Sequence, residues 1–306
     1  MVELTSIVQG ALSGIVLGSL FSLMAMGLTL IFSTVRILNF AHGAFFTWGA
    51  FVVWWLVAPK ESKFGGLEPY ASGLLLPFFA AFAIGLGALF VMGAGTERGL
   101  IRPLRTKPSW EMTTLVATIA LAILMQNLAL LSFGARTKQF EPLLPGTISF
   151  GGGLFLTYAQ IGQFVIAIVV LVIMQLFLRR NRQGLAMRAV SQDTEVATIL
   201  GVRVNTTYLY AFAISTVLAA LAGILLSNLL FISADGGTLP MLKAFIIIIF
   251  GGIGSITGTI YASFILGFIE SYTATFIGIA WALPVEFAVM VVVLAIRPQG
   301  LFGFKE

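Results

Sequence analysis

The sequence predicts an all-α fold, a polytopic membrane helical bundle of about eight or nine spans with one broken or re-entrant segment. Three observations predict it. First, the 306 residues are 59% hydrophobic and only 9% charged, with a mean hydropathy of +1.04. Soluble domains carry about 25% charged residues, so a water-soluble globule of this size could not cover its surface. Second, the charges are segregated. None falls between Glu3 and Arg36, Arg36 and Lys60, Glu68 and Glu97, Glu111 and Arg136, Glu141 and Arg179, or Arg203 and Asp235. Each stretch can hold the ~20 residues of a membrane-spanning helix. Third, no intervening loop is long enough for a folded soluble domain. Together these exclude a soluble enzyme, a disordered chain and a nucleic-acid binder.

Taken in order, the apolar stretches predict spans near 6–33, 40–58, 70–95, 112–133, 158–178 and 206–232. Beyond Asp235 the pattern is broken by Gly251, Gly252, Gly254 and Gly258, which suit a helix interior poorly. A short or re-entrant segment near 240–251 and spans near 256–273 and 279–296 are expected there. The glycine run is read either as a broken helix forming a gate or as a tight turn between closely packed helices. The first apolar run has no preceding Lys or Arg and is too long for a cleavable signal.

The net charge of +5 and pI near 9.7 mark cytoplasmic loops rather than an affinity for DNA. Arg98, Arg102, Arg105 and Lys107 crowd one loop, and Arg179, Arg180, Arg182, Arg188 and Arg203 another. Placing both loops in the cytoplasm puts the N-terminus outside. Arg297 and Lys305 favour a cytoplasmic C-terminus, hence an odd number of crossings. The loop 134–157 is expected to cap the outer face. Cysteine is absent and there is one histidine, so thiol chemistry, disulfides and a His-based metal centre are not expected. No catalytic residue and no cofactor is assigned.

Polar residues within apolar sequence are the candidates for a pathway. Asn39 and His42 stand three apart at the start of a span and would share a helix face, lining a pathway or capping and packing the helix. Gln126 and Asn127 lie mid-span and must find partners, in other helices or in substrate. Glu270 and Glu286 are the acids nearest membrane depth. Glu270 is placed equally in a pathway or at a span end, and Glu286 near a surface. Asp235 and Lys243 are read as solvated flanks of an external turn.

The stretch 179–203 is amphipathic and lies between two spans. Ser191 or Asp193 would cap a helix running to about Leu200, with Asp193 and Glu195 at its positive end and Gly201 at the C′ position. Such a helix is either a partner's docking element or a solvated linker.

The segments ILNFAHGAFFTWGAF (37–51), ERGLIRPLRTKPSW (97–110), GLAMRAVSQDTEVATILGVRV (184–204), FGGIGSITGTIYASFILGFIES (250–271) and RPQGLFG (297–303) follow one another along the chain. Together they resemble the membrane permease of bacterial ABC importers for branched-chain amino acids, the LIV type and its shorter H subunit, over essentially the whole chain. The resemblance implies a single permease domain, 1–306, in the bacterial inner membrane, working by alternating access. It implies a cytoplasmic coupling segment, 181–204, with its docking helix at about Ser191–Gly201, in which Arg188, Ala189, Asp193, Glu195, Ala197 and Gly201 would meet an ATPase. Because the chain has no G-x-x-x-x-G-K-[ST] phosphate loop, two nucleotide-binding subunits must come from outside. A second related permease and a periplasmic solute-binding protein are the other implied partners. Urea and short-chain amide permeases share much of these motifs. An ion-coupled secondary transporter using Glu270 and Glu286 as proton carriers is the reading from another class.

Overall fold

The computed structural model describes residues 2–59, 74–139, 146–151, 153–227 and 231–303. Its helices are α1 (Val2–Val35), α2 (His42–Val57), α3 (Phe78–Thr96), α4 (Arg102–Leu104), α5 (Trp110–Phe133), α6 (Tyr158–Arg180), α7 (Arg182–Gln192), α8 (Thr194–Ile199), α9 (Val204–Leu226), α10 (Thr238–Gly251), α11 (Ile256–Phe276) and α12 (Ala282–Ile296). A π-helical turn, Glu97–Ile101, joins α3 to α4, and a 3₁₀ turn, Ile279–Trp281, leads into α12. Among the described residues six helices are long and apolar enough to cross a membrane: α1, α3 with its extension to Leu104, α5, α6, α9, and α12 with its preceding turn. α10 and α11 form a pair bent by 119°, and α2 is a shorter apolar helix. The chain is a multi-pass membrane protein.

Burial separates the centre from the lipid-facing ring. In their most apolar stretches α1 and α9 are 83% and 78% buried, against 22% for α3 and α5, 28% for α6 and 17% for α12. In a bilayer the contacts between central helices rest on close packing and polar side chains rather than on water exclusion. α1 and α11 meet along small residues. A Cβ on Gly18 would lie 2.8 Å from Cα of Phe264, and one on Gly267 would lie 2.5 Å from the Gly18 nitrogen. Hydroxyls line the same seam: Ser22 bonds Ser263, Thr29 bonds Thr259 at 2.8 Å, and the Ser271 hydroxyl donates to Gly10 O at 2.8 Å. α9 approaches α2 equally closely, since a Cβ on Gly49 would lie 2.5 Å from Cα of Ala220.

Two departures from the sequence reading concern local geometry. Asn39 and His42 do not share a helix face, because residues 36–41 are not helical. Arg36 closes α1 in the left-handed conformation (φ 59°), its N–H donating to Phe32 O, and α2 begins only at His42. The fold also contains a two-stranded antiparallel hairpin, β1 (Thr147–Gly151) and β2 (Leu154–Thr157), inside the loop expected to cap one face. Gln9 of α1 holds it through both ends of its amide, to Phe155 O at 3.0 Å and from Phe155 N at 3.2 Å.

The two ends of the bundle differ in charge. At one end lie Arg36, Arg179 and Arg188 around a cavity of about 760 Å³ that also reaches Gly254 and Ser255. The 97–109 loop reaches the same end: Arg105 pairs with buried Glu97 and lies 4.5 Å from the Tyr208 ring centroid near the start of α9. The 297–303 tail folds back onto the α10–α11 turn, with Leu301 N donating to Phe250 O at 2.9 Å and Phe302 N to Gly251 O at 3.1 Å. The opposite end carries the hairpin and the start of α1.

Candidate substrate groove and coupling surface

After Ile232, bridged to Lys138 by two 2.8 Å backbone bonds, the chain turns through Gly236 and Gly237 into α10. Gly237 presses on Gly43 in the first turn of α2. This contact, with α5 alongside, forms a groove of about 230 Å³. Its polar lining comprises Thr47, Gln126, Asp235 and Thr238, and its apolar walls include Ile119, Ile123, Met241 and Phe245. Phe40 and Phe245, 5.1 Å apart between ring centroids, separate it from a second, apolar cavity of about 250 Å³. The groove opens beside the α10 N-terminus, where the helix dipole presents partial positive charge, while Asp235 supplies a carboxylate.

Of the polar residues singled out in the sequence, Gln126 lines this groove. Asn39 is buried, and its Oδ1 accepts from Ala41 N at 3.1 Å. His42 is fully buried with Nε2 3.0 Å from Met24 O, against Gly27 and Ser215. Asn127 is exposed and donates to Ile123 O of its own helix at 2.8 Å. The glycine run makes a tight turn: Gly252 (φ 101°) and Gly254 (φ 85°) reverse the chain, and Ser255 caps α11 by accepting from Gly258 N at 3.1 Å. The turn lies at the basic end, close to Ser33 of α1.

The stretch 182–199 forms two helices rather than one. Asp193 is the N-cap of α8, accepting from Glu195 N at 2.8 Å and Val196 N at 3.0 Å. Ser191 instead donates to Arg188 O. Gly201, at φ 85°, closes α8 in the arrangement expected of a C′ glycine, with Gly201 N donating to Thr198 O and Val202 N to Ala197 O. Met187, Val190 and Ala197 are buried, whereas Ile199 and Leu200 are 79% and 75% exposed. Arg188 and Glu195 are exposed and Ala189 is half-buried. Gly184 allows the α6–α7 corner, since a Cβ there would lie 2.7 Å from Cα of Leu178.

Residues 10–294 match the family described as the branched-chain amino acid transport system permease component. The chain belongs to that permease family. It is 32% identical over 311 residues to the high-affinity branched-chain amino acid transport system permease protein BraD of Pseudomonas aeruginosa, covering 100% of this chain and 99% of that protein. It is 29% identical over 303 residues to the corresponding permease protein LivH of Escherichia coli K12, covering 97% and 96%. A probable branched-chain amino acid transport permease protein of Methanocaldococcus jannaschii is 29% identical over 318 residues, covering 97% of this chain and 92% of its own. No solved structure matches the chain.

In this permease the charged residues near membrane depth are not at its surfaces. Glu270 and Glu286 are buried, and Lys243, read from sequence as solvated, lies between them with Nζ 2.5 Å from Glu270 Oε1 and 3.7 Å from Glu286 Oε1. None of the three lines the groove. The spacing of Lys243 within an otherwise uncharged helix was the available signal, but sequence alone did not show which helices would face it. Among the described residues no group of three or more His, Asp or Glu side chains is placed to hold a metal.

Proposed function

We propose that this chain is the membrane permease subunit of an ATP-driven importer that moves branched-chain amino acids inward by alternating access. The observation that carries the proposal is the full-length similarity to BraD and LivH, which are permease proteins of high-affinity branched-chain amino acid transport systems. The groove suits a zwitterion with an aliphatic side chain. The α10 N-terminus attracts a carboxylate, Asp235 attracts an ammonium, and Ile119, Ile123 and Phe245 offer an apolar wall.

On this reading the whole chain is one permease domain of the bacterial inner membrane. Its basic end faces the cytoplasm, with the N-terminus outside and the C-terminus inside, in keeping with the positive-inside rule. Residues 181–204 are the coupling segment. One of the two ATPase subunits docks on its exposed apolar residues, Val196, Ile199 and Leu200, and the other on the second permease. A second, related permease completes the pathway and a periplasmic binding protein delivers the substrate. The segment is built to pass on motion, because α7 packs on α1 and α9 as well as continuing α6. Closure of the ATPases would pull α8 and, through α7, the central helices α1 and α9, which pack on the groove helices α10 and α2.

The test is growth. In a bacterial leucine auxotroph lacking its own branched-chain importers, this chain with its candidate partner subunits should restore growth on limiting leucine. No rescue on leucine, together with rescue of urea or amide use, would move the assignment to the related permeases.

A further inference from the structure

Three ionisable side chains from three helices meet inside the apolar bundle. Lys243 of α10, Glu270 of α11 and Glu286 of α12 have side chains only 14%, 10% and 1% exposed. The Lys243 ammonium also lies 5.1 Å from the ring centroid of Phe21, midway along α1. With every group ionised, one cation would face two carboxylates and the cluster would carry a buried negative charge. An unbalanced charge in such surroundings is strongly unfavourable. Among the described residues α1, α10, α11 and α12 offer no second cation, and His42 of the neighbouring α2 is engaged with Met24 O. α1 is free of Lys, Arg and His from Glu3 to Arg36, while Lys243, Glu270 and Glu286 are the only Lys, Arg, His, Asp or Glu of α10, α11 and α12. The tyrosines of α11 are engaged elsewhere: Tyr272 donates to Ile7 O and Tyr261 stacks on Phe302.

Hydrogen bonding points the same way. Glu270 Oε2 and both Glu286 oxygens have no hydrogen-bond donor, although all are buried. The two carboxyl groups nevertheless converge on one ammonium, at 2.5 and 3.7 Å from Lys243 Nζ. Two carboxylates that share a dry site cannot both ionise without penalty, and a proton between them removes both the excess charge and the missing donor.

We propose that the Glu270–Glu286 pair binds one proton. Glu286 holds it as a neutral acid and donates it to Glu270 Oε2, while Glu270 stays ionised against Lys243. The cluster is then neutral and ties α12 to α10 and α11. This is a proton-binding site separate from the groove and the coupling surface, and it does not depend on what the permease carries.

The test is infrared spectroscopy of the purified full chain in lipid nanodiscs at neutral pH, comparing wild type with Glu286→Gln. The proposal predicts a carboxylic-acid C=O band in the wild type that the variant loses. Because Gln matches the shape and charge of the protonated acid, Glu286→Gln should fold and keep its transport rate within about two-fold. The double variant Glu270→Gln/Glu286→Gln strands Lys243 and should fail to accumulate, and Lys243→Met on that background should restore it. A wild-type spectrum without the acid band would overturn the proposal, as would a Glu286→Gln protein that does not fold. Added sodium stabilising the wild type but not Glu286→Gln would also overturn it, because a bound cation would then be balancing the charge.

Discussion

Gly43 and Gly237 touch backbone to backbone: a Cβ on Gly43 would lie 2.6 Å from the Gly237 carbonyl oxygen and 3.0 Å from Met241 Cβ. The contact fixes how closely the start of α10 approaches the start of α2, and so sets the width of the groove between them. A methyl group at either position must push these walls apart. Gly43→Ala should cost about 1–3 kcal/mol, the usual range for overpacking, and should lower transport by widening or distorting the groove. Thermal unfolding and uptake by the same preparation would check this; unchanged stability with normal uptake would show that the contact does not shape the site.

Within the groove, Asp235 and Gln126 line the same space as the apolar wall of α5 and α10. Asp235→Asn removes the charge while keeping the shape, and Asp235 is exposed rather than part of the core. The expected outcome is transport weakened about ten-fold, the equivalent of ~1.4 kcal/mol, with little change in thermal stability. Gln126→Ala should act in the same direction. Saturation curves for leucine uptake separate weaker binding from slower turnover.

The coupling segment separates surface from support. Ala197 is buried and Gly201 holds a positive φ, whereas Ile199 is exposed. Ala197→Arg and Gly201→Glu are expected to abolish uptake without preventing membrane insertion. Ile199→Asp should do so with the α7–α8 fold intact, because that side chain is exposed among the described residues. Uptake, membrane fractionation and co-purification of the ATPase would report on the three variants. Normal uptake by all of them would remove the coupling assignment.

The bundle was legible because charge and apolar length are one-dimensional signals, read directly along the chain. Asp193 and Gly201 were legible as helix caps for the same reason: capping is local, and both residues occupy the expected positions. His42 and Asn39 were not, since their roles depend on α1 and on an unwound turn that no spacing rule reveals. Lys243 was misread because its partners lie on α11 and α12, tens of residues away. The groove was only partly visible for a similar reason. Gln126 sits mid-helix, but Asp235 and the Gly43–Gly237 contact join it only through the tertiary fold.

The Lys243 cluster also orders two substitutions. Glu270 is the nearer carboxylate at 2.5 Å, with Glu286 at 3.7 Å. Glu270→Gln should therefore reduce transport more than Glu286→Gln. Lys243→Met, which leaves the carboxyls without their cation, should destabilise the protein by ~3–5 kcal/mol, the usual cost of breaking a buried pair. Uptake by the two glutamine variants and unfolding curves for all three would establish the order, and equal near-normal behaviour of Glu270→Gln and Lys243→Met would show the cluster to be dispensable.

Whether the permease is driven by ATP can be read from radiolabelled leucine uptake into proteoliposomes holding this chain, with a second permease, the ATPase subunits and the binding protein each supplied or omitted. For an ATP-driven importer, uptake should require the ATPase, the binding protein and ATP, and unlabelled isoleucine and valine should suppress it. Leucine uptake by this chain alone, driven by an ion gradient and collapsed by an uncoupler, would contradict that reading and make the protein a secondary transporter.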